Sequence, residues 1–236
     1  MDNVEAIIFD LGGTLIDYEG FPHYWGDYYQ EALRTVSDKL FLDLTEEQIN
    51  VAAETLKKYN PRLYPREIEY TPRFIFTDVF NGWRIAENRI DAAIRVFFEF
   101  FQQNLIVYPE TEKVMNALKA NGYKIGILTD VPTGMPTELI IQDISLFEDK
   151  VDYFLSSVDC GFRKPNKKGI EIITQSFGVR TQNIAFVGNE IKDIEAAKNA
   201  GAISILINRV GEVKNYGEDF QISNLIEIIG LLRLNE

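Results

Sequence analysis

The segment VEAIIFDLGGTL, Val4 to Leu15, decides how the rest of the chain is read. Val4 to Phe9 is a short apolar run, and such a run closed by a turn signal predicts a strand buried on both faces. The run stops at Asp10, and Gly12-Gly13 marks a turn directly behind it. An acidic side chain that leaves a buried strand for a glycine-rich turn can serve as a nucleophile with backbone N–H groups beside it.

Working outward, the chain changes character twice. From about Asp17 to Leu105 it reads as nearly all helix. Thr45 and Gln48 have capping-box spacing, with Ile49, Ala52, Ala53 and Leu56 on one face behind them. Thr71-Pro72 reads as an N-cap followed by proline at the first helical position. Ile90, Ala93, Ile94, Phe97, Phe98 and Phe101 form a longer stripe. Trp25 and Trp83 both fall in this block. The aromatics Tyr18, Phe21, Tyr24, Trp25, Tyr28 and Tyr29 would line a pocket or, as such spacing more often means, form the block's own core.

After Pro109 strands and helices alternate. Strands are predicted over Tyr123 to Leu128, Val151 to Leu155, Ile184 to Val187 and Ile203 to Ile207. Helices are predicted over Glu110 to Ala120, around Ile170, Ile173 and Phe177, around Ile191, Ile194 and Ala197, and from Asn224 to Leu234. This order predicts an α/β fold, a Rossmann-like parallel sheet with helices on both faces. The α/β domain is therefore split into residues 1–16 and 106–236, around an inserted helical domain of residues 17–105. An insertion of that length is far beyond an ordinary loop.

Composition bounds the function. The chain has 236 residues, with 24 Lys+Arg against 36 Asp+Glu and a net charge of −12. A net anion repels nucleic acid and anionic membrane surfaces, so neither is expected as the main partner. No apolar run approaches the roughly 18 to 20 residues that span a bilayer. The single cysteine, Cys160, excludes an internal disulfide and fits a reducing compartment. A cytoplasmic protein is expected.

Ligands of open α/β sheets bind outside the carboxyl ends of the strands. Four such ends carry polar groups here. The first holds Asp10, Gly12 and Gly13; the second ends in Thr129-Asp130; Arg163-Lys164-Pro165 follows the third; the fourth runs into Asn189-Glu190-Ile191-Lys192-Asp193. A hydroxyl at Thr129 suits an anion held by the first turn, and a lysine before a helix start neutralises phosphate charge. Oxygen side chains at Asn189, Glu190 and Asp193 suit a hard cation such as Mg²⁺. Taken singly, each has an ordinary reading as a turn residue, a cap or a solvated charge. The argument rests on all four occurring in this order, each at a strand end.

In that arrangement the chain resembles the haloacid dehalogenase-like (HAD) superfamily of hydrolases, in the subgroup with a helical cap inserted after the first strand. The matching pieces are FDLGGTL (Phe9 to Leu15), ILTD (Ile127 to Asp130), FRKP (Phe162 to Pro165) and VGNEIKDIEAAKNAG (Val187 to Gly201), with LFEDKVDYFLSS (Leu146 to Ser157) leading into the third. The resemblance implies that Asp10 attacks a phosphoryl group and forms an aspartyl-phosphate. It also implies Mg²⁺ held by the Asp10 carboxylate, the Gly12 carbonyl and groups among Asn189, Glu190 and Asp193. Thr129 and Lys164 would complete the catalytic set by binding the transferring oxygens, with Gly12, Gly13 and Asp130 beside them on the substrate. The substrate would be a small phosphorylated metabolite, chosen by the cap.

The chain departs from that pattern in two ways that matter. Family phosphatases carry an aspartate, the general acid and base, where this chain has Gly12. The fourth motif usually begins Gly-Asp, and here Asn189 stands for that aspartate. A general acid or base contributes roughly 10²- to 10⁴-fold, so either another group steps in, the enzyme is slow, or the protein keeps the fold as a binding or regulatory module. His23, the only histidine, is a candidate replacement acid or equally a surface or packed histidine; Asp17 is nearer in sequence, but an exposed aspartate past the turn is its simpler reading.

Overall fold

The computed structural model describes residues 1, 3–21, 24–211 and 213–234. In chain order, β1 (Ala6–Phe9) and β2 (Ile16–Tyr18) precede four helices: α1 (Tyr29–Leu40), α2 (Glu46–Lys58), α3 (Pro72–Val79) and α4 (Ile90–Glu99). Then come β3 (Leu105–Val107), α5 (Thr111–Ala120), β4 (Lys124–Thr129), α6 (Thr137–Gln142), β5 (Tyr153–Ser156), α7 (Ser157–Cys160) and α8 (Lys168–Phe177). The chain closes with β6 (Ile184–Gly188), α9 (Ile191–Ala200), β7 (Ile203–Ile207), β8 (Phe220–Ile222) and α10 (Glu227–Leu231).

Six of these strands form one parallel sheet in the order β5-β4-β1-β6-β7-β8. All four side chains of β1 are fully buried, as its unbroken apolar run predicts. Ala6, Ile8, Leu128, Ile173, Phe177 and Phe186 share one core cluster with helices α8 and α9. Helix α8 approaches the sheet closely because glycines face its contacts: a Cβ on Gly126 would stand 2.9 Å from Ile173, and one on Gly169 would stand 2.5 Å from Leu128. The α/β class and the five principal strands thus follow the expectation.

The differences are local. The predicted strand bounds shift by a residue or two, as the hydrogen-bond ladder rather than apolarity sets them. The C-terminal helix is only Glu227–Leu231, because the Ser223 and Asn224 N–H groups are held in a turn by Glu227 Oε1 at 2.8 and 3.0 Å; before it, Phe220–Ile222 pairs with β7 as a sixth strand. Ile191, expected on the buried face of α9, is 49% exposed; the burial of that helix begins at Asp193 and Ile194. Strands β2 and β3, in a region read as helix and its border, pair with each other where the chain leaves and re-enters the α/β part.

The chain divides into two compact units, Met1–Asp17 with Val107–Asp130 and Asp143–Glu236, and Tyr18–Ile106 with Val131–Gln142. The sequence reading differs over Val131–Gln142, which it kept with the α/β part. This segment belongs with the helical unit because Val131, Met135, Leu139 and Ile140 are buried and Gly134 lies against Phe76, where a Cβ would come within 2.8 Å. Gln102 also donates to the Leu139 carbonyl at 3.1 Å.

Within the helical unit, the capping box of Thr45 and Gln48 and the Thr71-Pro72 start both form as predicted. Of the aromatics weighed for a pocket or a core, Trp25 and Tyr29 are buried, and Tyr18, Phe21, Tyr24 and Tyr28 are half-buried. Trp25 stacks on Phe101 with ring centres 4.4 Å apart, and Phe97 meets the rings of Tyr29, Phe76, Phe98 and Phe101. Truncating a fully buried phenylalanine leaves a cavity, so Phe97→Ala should destabilise this unit by about 3–5 kcal/mol. Both tryptophans are in the unit, so denaturant titration followed by tryptophan fluorescence reads this directly. A shift below about 1 kcal/mol would mean that the site collapses without a void.

Candidate active site

Asp10 is set at the end of the central strand by its own backbone, whose N–H donates to the Val187 carbonyl at 2.8 Å. The chain then reverses. The Leu11 carbonyl accepts from Leu15 N at 2.8 Å, and Gly13 takes φ +74°, a left-handed conformation that glycine adopts without a Cβ clash. Asp10 is left only 6% exposed.

Lys164 lies against it. Its ammonium donates to Asp10 Oδ1 at 2.5 Å and stands 2.6 Å from Asp193 Oδ1. The other Asp193 oxygen accepts from the backbone N–H groups of Asn189, at 3.0 Å, and Glu190, at 2.8 Å. Gly188 makes room for this carboxylate, since a Cβ there would stand 2.4 Å from Asp193 Cβ. The carboxyl end of β1, the loop before α8 and the first turn of α9 after β6 therefore deliver one charged triad, Asp10–Lys164–Asp193.

Burial pushes the Asp10 carboxyl up to about 7, with Lys164 pulling it down and Asp193 pushing it further up. Burial works against the Lys164 ammonium too, but Asp10, Asp193 and Asp130 outweigh it and hold its pKa above the ordinary lysine value. Lys164 is thus a fixed positive charge, and the carboxylate beside it is poorly solvated.

Asp130 has a clear role in the structure. Its Oδ1 accepts from the Lys164 backbone N–H at 3.0 Å, and its Oδ2 stands 3.2 Å from Lys192 Nζ. Burial raises its pKa, but Lys192, Arg163 and Lys164 outweigh that and keep it below the usual carboxylate value. Lys192 in turn pairs with Glu190 at 3.0 Å. Asp130 therefore ties the end of β4 to the Lys164 loop and to the first turn of α9. Thr129, the last residue of β4, is buried.

Among the described residues, no three His, Cys, Asp or Glu side chains are grouped to hold a metal ion. The oxygen donors that could hold a hard cation are of mixed kind. The end of the Asn189 side chain lies 3.3 Å from both Gly12 O and Asp10 Oδ2. With its amide oxygen inward, this brings a carboxylate, a carbonyl and an amide oxygen together, the donor chemistry of Mg²⁺. The sequence reading also placed Glu190 and Asp193 among the metal ligands. In the structure Glu190 pairs with Lys192, and Asp193 spends its oxygens on Lys164 and two backbone N–H groups.

The sequence model of the family described as haloacid dehalogenase-like hydrolase matches residues 4–201. The chain is a HAD-like hydrolase. The glyceraldehyde 3-phosphate phosphatase of Methanocaldococcus jannaschii is 26% identical over 98% of this chain and 97% of its own length. Among solved structures, a 2-haloacid dehalogenase from Pseudomonas syringae pv. Tomato DC3000 superposes with a TM-score of 0.71 at 19% identity, covering 98% of each chain. A HAD phosphatase from Thermococcus onnurineus gives 0.64 at 21% identity, covering 97% of this chain and 98% of that one. At these identities the two structures speak for the fold alone. Among the described residues, no helix of this HAD-like hydrolase is long and apolar enough to cross a membrane.

Some neighbours of the site were not legible beforehand. Lys192 carries no role in the sequence reading, and its pairs with Asp130 and Glu190 give it one. Arg209, after β7, donates to Glu110 at 2.6 Å and to the Thr14 carbonyl at 2.7 Å, and its guanidinium lies 3.5 Å from the centre of the Tyr108 ring. Tyr108 donates to Asp17 at 3.0 Å, which gives Asp17 a tethering role. His23, the other candidate acid, lies outside the described residues. Lys39 and Lys57 pair with the glutamates Glu99 and Glu54.

Burial, then Asp17, pushes the Tyr108 phenol up to about 12 from 10.0. The folded protein thus keeps this proton where the unfolded chain has lost it. That contribution is intact below pH 10 and is lost as pH rises towards 12. Denaturant midpoints should fall less steeply over that window in Tyr108→Phe than in wild type. Equal slopes would mean that Tyr108 does not differ between the two states.

Proposed function

We propose that this HAD-like hydrolase is a Mg²⁺-dependent phosphatase acting on a small phosphorylated metabolite through Asp10. The observation that carries the reading is the buried Lys164 ammonium between Asp10 and Asp193, at 2.5 and 2.6 Å. Burial pushes the Asp10 carboxyl up, and Lys164 beside it pulls the other way, favouring the ionised form that attacks phosphorus.

The chemistry then follows from this chain's residues. An Asp10 oxygen attacks phosphorus, a P–O bond forms to the carboxylate, and the bond to the leaving oxygen breaks. Lys164 and Thr129 hold the oxygens of the transferring group and neutralise charge, which supplies most of the catalysis in phosphoryl transfer. Water then hydrolyses the aspartyl-phosphate, releasing phosphate and restoring Asp10. Asp10, Gly12 and Asn189 would hold Mg²⁺, which, when bound, neutralises phosphate charge. The leaving oxygen must take its proton from solvent or from the substrate, because Gly12 offers none.

Glyceraldehyde 3-phosphate is the first substrate to try, given the name of the Methanocaldococcus relative. The test is a phosphomonoester panel with Mg²⁺, run beside Asp10→Asn. Phosphate release by wild type and not by the variant supports the reading; release by both removes Asp10 from the mechanism. The bare position at Gly12 favours a second reading, a HAD-fold binding or regulatory protein. Beryllofluoride titration with Mg²⁺ separates the two, since a nucleophilic aspartate binds this phosphate analogue tightly and a non-catalytic site does not.

A further inference from the structure

Asn189 occupies an unusual place. Its backbone N–H is pinned to Asp193 Oδ2 at 3.0 Å, so the residue is fixed at the entrance to α9. Its side-chain amide ends 3.3 Å from Gly12 O and 3.3 Å from Asp10 Oδ2. Both of those atoms are acceptors. Lys164 already serves the other Asp10 oxygen, at 2.5 Å. The Oδ2 face of the carboxylate is therefore the one that depends on Asn189.

An amide has two ends of nearly the same shape and opposite character. With the nitrogen inward, its two N–H groups meet the two acceptors, and Asp10 Oδ2 and Gly12 O are both satisfied. With the oxygen inward, three acceptors meet with no hydrogen between them, an arrangement that a cation makes favourable. A half-turn about the last side-chain bond exchanges the two without moving the backbone. An aspartate at this position lacks the choice, because both of its ends are acceptors.

We infer that Asn189 is a reversible stand-in for the cation: its NH₂ bridges Asp10 and Gly12 when no ion is bound, and its carbonyl oxygen turns inward when one is. The inference rests on the Mg²⁺ reading above and deepens it. It accounts for Asn189 as a compromise, in which a ligand of lower charge binds the ion more weakly but keeps the nucleophile's environment satisfied without it. The ion must displace the NH₂ bridge before it can bind, so part of its binding free energy goes into the half-turn.

The test uses the full chain, Mg²⁺ as the probe, and readouts other than turnover. In ¹⁵N-labelled protein, the Asn189 side-chain NH₂ pair is identified by its loss in Asn189→Asp. In EDTA these protons should exchange slowly with solvent; saturation with Mg²⁺ should shift them and speed their exchange. Calorimetry should show Asn189→Asp binding Mg²⁺ about tenfold or more tightly, since ligand charge sets affinity in such sites. In EDTA the same variant should melt lower than wild type, because a second carboxylate faces Asp10, and Mg²⁺ should abolish or reverse that difference. Asn189→Ala removes both ends of the amide, so it should melt lower in EDTA and bind Mg²⁺ more weakly; it carries the test if Asn189→Asp does not fold. Mg²⁺ binding by wild type with unmoved Asn189 NH₂ signals, or with equal affinity in all three proteins, overturns the stand-in while leaving the Mg²⁺ reading intact. Absence of Mg²⁺ binding in wild type and in Asn189→Asp overturns both, and Asp10→Asn then reports separately on the nucleophile.

Discussion

Asp10→Asn should lower phosphate release by about 10⁴-fold or more, the loss expected when a covalent nucleophile is removed from an otherwise intact site. The substitution is nearly isosteric. The backbone bond from residue 10 to Val187 does not involve the side chain, and Lys164 keeps its partner Asp193 at 2.6 Å. The fold should therefore survive. Burial already works against the Asp10 charge, so removing that charge relieves one cost as it removes one attraction. The measurement is initial-rate kinetics with Mg²⁺ on the best substrate of the panel, with circular dichroism and a melting curve as controls. A loss of less than tenfold in a folded variant would assign the chemistry to another group.

The second large effect runs the other way. Gly12→Asp should raise kcat on an alkyl phosphomonoester by about 10²-fold, the lower end of what a general acid supplies. The structure has room for it: Gly12 is exposed, its backbone is not left-handed, and a Cβ there meets nothing within 4 Å. The Asp10 carboxylate two residues away would raise the pKa of the new acid and favour its proton-donating form. The gain should be large for an alkyl leaving group, which needs a proton, and small for p-nitrophenyl phosphate, whose leaving group does not. Equal gains on both substrates would point to altered binding, and no gain on either would mean that proton delivery does not limit the wild-type reaction.

The sheet was legible because its inner strands are apolar throughout, so composition alone marks Ala6–Phe9 and Ile184–Gly188. The site was legible because chemistry in such a sheet is confined to strand ends. Asp10, Lys164 and Asp193 come together as their positions in the topology required. What escaped depended on tertiary partners. Strands β2, β3 and β8 are three residues each, too short for periodicity to show. The Val131–Gln142 segment has proline and glycine punctuation and no signal of which unit its apolar residues will join. The Glu190–Lys192 pair was hidden for a similar reason: the first turn of α9 decides which way a carboxylate faces, and sequence spacing does not.

The Arg209 cluster bears on how such a chain changes over evolutionary time. Thr111 donates to the Leu15 carbonyl at 2.9 Å, Tyr108 N–H donates to the same carbonyl at 3.1 Å, and Arg209 holds Thr14 and Glu110. Departure and return points of the long insertion are thus riveted to the catalytic scaffold by residues that lie outside the insertion. Changes within Tyr18–Ile106 leave these anchors of the Asp10 turn in place, but the insertion can be exchanged only together with Val131–Gln142, which packs with it.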